Sequence, residues 1–75
     1  MASSADDANQ VFVEGTSVTF PIVGGGLVHW RVPETRRACF RFESEGAHYY
    51  ASMLAGKRYE VSAPVFQRLQ ELLQR

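Results

Sequence analysis

At 75 residues, with 45% hydrophobic and 21% charged side chains, the chain has the composition of an ordinary globular protein and room for a single core. No apolar run approaches the ~20 residues that span a bilayer, residues 1–10 lack the basic and apolar regions of a signal peptide, and a single cysteine, Cys39, excludes an internal disulfide. The formal charge is zero, but from residue 15 onward eight Lys and Arg face five Glu, a balance of about +3 that accommodates a polyanionic partner without requiring one. These features together predict a cytoplasmic protein with no membrane segment.

Residues 1–10 are mostly Ala, Ser, Asp, Asn and Gln, which bury too little apolar surface to offset their ordering entropy. They predict a disordered leader ahead of one domain over residues 11–75. Residues 11–14 form a short apolar stretch ending at Gly15, which reads either as an edge strand or as a lead into the next segment. Residues 18–23 alternate as a strand requires, with Val18, Phe20 and Ile22 on one face. Pro21 lacks an amide donor, so this strand lies at an edge or turns that side away from its neighbour. Gly24, Gly25 and Gly26 then allow positive φ and predict a hairpin into residues 27–32, where Val28, Trp30 and Val32 share a face.

After a polar, proline-led connection over residues 33–37, Ala38, Phe40 and Phe42 alternate with Cys39, Arg41 and Glu43 as a third strand, and Ser44-Glu45-Gly46 reads as a turn. Residues 47–54 satisfy a strand, with Tyr49, Ala51 and Met53 on one face, and also a short helix through Ala47, Tyr50, Ala51 and Leu54. Two successive aromatics favour the strand. Residues 57–61 form a last strand, followed by Ser62 as N-cap and Pro64 in the first turn of a helix. Val65, Phe66, Leu69, Leu72 and Leu73 make its apolar stripe. The predicted fold is therefore α+β: a small four- to five-stranded, mostly antiparallel sheet with one C-terminal amphipathic helix packed on one face.

Little in the sequence points to catalysis. His29, Cys39 and His48 are ligand types that zinc accepts, but their spacings of ten and nine residues match no compact ligand pair. A Cys39 nucleophile with His48 as base needs an orienting group and a cleft, which a domain this small has little room for. The triglycine is not followed by Lys-Ser/Thr and joins two strands, unlike a phosphate loop. The expectation is a non-catalytic domain without metal or cofactor.

Placing the alternating apolar residues beneath the helix leaves Arg31, Arg41, Tyr50 and Arg58 on the far face, a candidate surface for a protein partner or for a second copy in a homodimer. The alternative is a single-strand nucleic-acid-binding module, in which Trp30, Lys57 and Tyr59 join those cations to stack bases and neutralise phosphates. The run from residue 56 to 75, a basic strand leading through Ser62 into a helix with Phe66 and Leu69, resembles the closing strand and helix of the positive-cofactor-four type of single-stranded-DNA-binding cofactor. That resemblance covers about a quarter of the chain and implies the nucleic-acid reading; the upstream strands carry no matching motif.

Overall fold

The computed structural model describes residues 9–32, 40–54 and 56–74. Six strands lie among them, β1 (Phe12–Glu14), β2 (Ser17–Pro21), β3 (Leu27–Arg31), β4 (Phe40–Glu45), β5 (His48–Met53) and β6 (Arg58–Val61), followed by helix α1 (Ala63–Leu73). The expected α+β class is present, but the single sheet is not. The strands form two three-stranded antiparallel sheets, an N-terminal one in the order β1-β2-β3 and a C-terminal one in the order β4-β5-β6.

A width argument accounts for the split. Six strands in one sheet would span ~24 Å at ~4.8 Å per strand, whereas one helix is only ~10 Å across. Such a helix leaves most of the apolar face in water. Two sheets with their apolar faces turned inward cover each other, and the helix covers what remains.

The inward residues are those that the alternation marks. Val18, Phe20, Trp30, Phe40 and Val61 are buried, while Ile22, Val28, Val32, Phe42, Tyr49 and Tyr59 are partly buried against them. Trp30 joins the two sheets: its ring centroid lies 4.8 Å from Phe20, 5.2 Å from Phe40 and 6.4 Å from Tyr59. Helix α1 packs on β4 and β5, burying Val65, Leu69 and Leu73 and setting Phe66 5.0 Å from Tyr49 and 5.9 Å from Phe42. The inner face of the C-terminal sheet is thus shared between the helix and the N-terminal sheet.

Residues 47–54 resolve as strand β5, with Tyr49, Ala51 and Met53 on the inner face. The turn before it is shifted from the expected Ser44-Glu45-Gly46. Glu45 pairs with His48, so the connection is Gly46-Ala47, and Gly46 at φ 61° supplies the positive angle that a two-residue hairpin asks of its first central residue. Pro21 is tolerated because of where β2 ends. The Ile22 amide donates to Gly26 O at 3.2 Å, toward β3, so the backbone of Pro21 turns the other way, toward β1. That strand pairs only as far as Thr19, and no ladder bond is lost there.

Ser62 precedes α1 with extended backbone, as an N-cap does, yet its side chain makes no capping bond. Its hydroxyl instead donates to Asn9 Oδ1 at 2.7 Å. Composition places Asn9 in the leader; the structure ties it to the helix start, while residues 1–8 lie outside the described residues, as do residues 33–39 with Cys39.

Candidate functional site

Antiparallel register builds a charged surface on the outer face of the C-terminal sheet. Residues directly opposite each other share a face, so Arg41, Ser52 and Arg58 form one row across β4, β5 and β6. Glu43, Tyr50 and Glu60 form the next row, and Glu45 with His48 the third. All point away from the helix and from the N-terminal sheet. Two Arg and three Glu therefore stand on this face, with Arg41, Glu43, Glu45 and Arg58 exposed, Tyr50 and Glu60 partly so, and Ser52 between the two Arg buried.

The centre of this surface is Arg58. Its guanidinium carbon lies 4.1 Å from the Tyr50 ring centroid, and Nη1 approaches Glu45 Oε2 at 3.6 Å and Glu43 Oε1 at 4.0 Å. Each exposed ion pair contributes only ~0–1 kcal/mol, and a cation over an exposed ring a similar ~0.5–1 kcal/mol. Their main effect is to hold one long side chain over one ring. Beside it, His48 Nδ1 donates to Glu60 Oε2 at 2.8 Å, since an ionised carboxylate can only accept. Arg41 makes no ion pair among the described residues.

Of the four residues expected on one open face, the structure brings together Arg41, Tyr50 and Arg58. Arg31 is separate: it pairs with Ser17 on the outer face of the N-terminal sheet. The residues of the nucleic-acid alternative are not gathered into a stacking surface. Trp30 is 5% exposed and encased by aromatic neighbours, so it offers no face to a base. Tyr59 is half-buried on the inner face, with Lys57 Nζ 5.6 Å from its ring centroid. The sequence places Glu43 beside Arg41 on one strand and Glu45 in a turn, but does not assign them or Glu60 to the site. Their parity with Arg41 and Arg58 was visible, but assigning their neighbours needs the Gly46-Ala47 register.

The two histidines lie on different sheets, His29 Nδ1 2.8 Å from Thr19 Oγ1 and His48 against Glu60. Among the described residues no three His, Cys, Asp or Glu gather as metal ligands, and no helix is long and apolar enough to cross a membrane. No protein family, curated protein or solved structure matches the chain.

Proposed function

We propose that the chain is a non-catalytic protein-interaction module of the cytoplasm that works as a homodimer and recognises its partner on the outer face of the C-terminal sheet. The observation that carries this reading is Arg58 held over the Tyr50 ring and within 4.0 Å of both Glu43 and Glu45. Tyr and Arg are the residue types in which binding energy concentrates, and a pair already held in place loses less freedom when a partner arrives. The mixed sign of the surrounding charges favours a protein surface with its own carboxylates and cations over a polyanion, which needs a uniformly basic track.

Affinity capture with the wild type and with Tyr50→Ala/Arg58→Ala, partners being identified by mass spectrometry, tests the assignment. Loss of one set of partners in the double variant, with retention by a Leu27→Glu control on the other sheet, is the expected result. An unchanged set overturns it. A titration with labelled single-stranded oligonucleotide at low salt addresses the alternative: the expected outcome is no binding, and binding that weakens steeply with salt promotes the nucleic-acid reading.

A further inference from the structure

We infer that a second copy of this chain adds to the free edge of β4 about a two-fold axis at Phe42, joining two C-terminal sheets into one continuous six-stranded sheet. The inference rests on the homodimeric module proposed above and specifies how that dimer is built.

The strand edges of the molecule are not equivalent. β1 has three residues, and the edge of β6 already receives the Val23 amide at Glu60 O, 2.9 Å away. β3 carries His29 and Arg31 on its outer face but no acid, so pairing it with a copy of itself brings no opposite charges together. β4 is six residues long, bears both signs, and among the described residues is paired on one side only. An unpaired edge of that length offers a row of backbone donors and acceptors to another chain.

Charge selects the register. Opposed residues in an antiparallel pair share a face, so the inward Phe40, Phe42 and Ser44 of one copy must oppose the inward residues of the other. Centring on Phe42 puts Phe42 against Phe42 of the second copy and sets Arg41 opposite Glu43 twice. Centring on Arg41 opposes two cations, and centring on Glu43 opposes two carboxylates; each is disfavoured. In the selected register the Arg41-Ser52-Arg58 row of each copy runs on into the Glu43-Tyr50-Glu60 row of the other, so the polarity of the whole outer face matches across the axis. Arg41, which lacks an ion pair among the described residues, gains one.

Sedimentation equilibrium of the full chain with Arg41→Glu and Glu43→Arg reads this directly. Both positions are exposed strand residues, and circular dichroism of each variant checks that the fold is retained. The wild type sediments as a dimer, and either single variant, which opposes like charges twice, dissociates at least ~10-fold more readily. An equimolar mixture of the two variants restores the dimer as a heterodimer, because each then meets its opposite. A dimeric wild type with single variants that dimerise equally well, or a mixture that stays monomeric, overturns the β4 register while leaving the module reading intact. A wild type that is monomeric up to millimolar concentration overturns the dimer itself, and partner capture on the sheet face is then read independently.

Discussion

The N-terminal and C-terminal sheets have the same strand number and the same antiparallel order, yet they treat their outer faces in opposite ways. The N-terminal sheet leaves Phe12 and Leu27 in solvent at 50% and 68% exposure and turns its strands through a loop of three glycines. The C-terminal sheet carries a connected set of charges outside and takes the helix inside. The contrast shows a division of labour: one sheet acts mainly as a lid on the core, and the other is the platform that is both packed and patterned. It holds only while the two share one core.

The largest expected effect comes from cutting that core at the lid. Phe20 is fully buried in the N-terminal sheet and touches the C-terminal sheet through Trp30. Phe20→Ala should remove ~3–5 kcal/mol, a large share of what a domain this small can hold. In urea unfolding, Trp30 fluorescence reports the junction of the sheets and far-ultraviolet circular dichroism reports α1. Both transitions should move together to lower urea. A variant in which α1 and the C-terminal sheet keep their wild-type midpoint would show that the sheets are separate folding units.

A smaller effect belongs to the triglycine loop. Gly24, Gly25 and Gly26 have φ of 95°, 98° and 107°, angles that side chains rarely adopt, and a Cβ on Gly25 would meet nothing within 4 Å. Gly25→Ala therefore isolates the backbone term, with an expected loss of ~1–3 kcal/mol and a fall in melting temperature of ~4–8 °C per kcal/mol. Because Val23 in this loop donates to Glu60 O of β6, the strain also acts on the junction between the sheets. An unchanged melting temperature would mean that the loop takes another conformation at no cost.

The inside of the molecule was legible in the sequence, and the outside was only half so. Alternation marks the inward residues of β2, β3 and β4, the paired aromatics Tyr49 and Tyr50 favour the strand that turns Tyr49, Ala51 and Met53 inward, and helical spacing identifies Val65, Leu69 and Leu73, because burial imposes a period on the chain. The number of sheets was not legible: β3 and β4 have the same pattern whether they pair side by side or stack face to face. The candidate site depends on register, which a turn displaced by one residue conceals. Hence Arg41, Tyr50 and Arg58 are legible in the sequence without Glu43 and Glu45, the carboxylates beside Arg58. Trp30, an aromatic next to an Arg, resembles a stacking residue in sequence and is a core residue in space, since neighbours on a strand point to opposite faces.

The smallest effect is also the finest probe of how the two sheets are tied. Ser62 follows β6 and precedes α1, and its hydroxyl reaches Asn9, just ahead of β1, so this bond links the beginning of one sheet to the end of the other. Were Ser62 a helix cap, Ser62→Ala would lose ~0.5–2 kcal/mol whatever stands at residue 9. With the hydroxyl given to Asn9 instead, Ser62→Ala and Asn9→Ala should each lose ~0.5–1 kcal/mol. The double variant should then lose less than the sum of the two single losses, a coupling that a double-mutant cycle in urea measures. Additive losses would return Ser62 to the capping role that its position predicts and leave the Val23 to Glu60 bond and the Trp30 cluster as the ties between lid and platform.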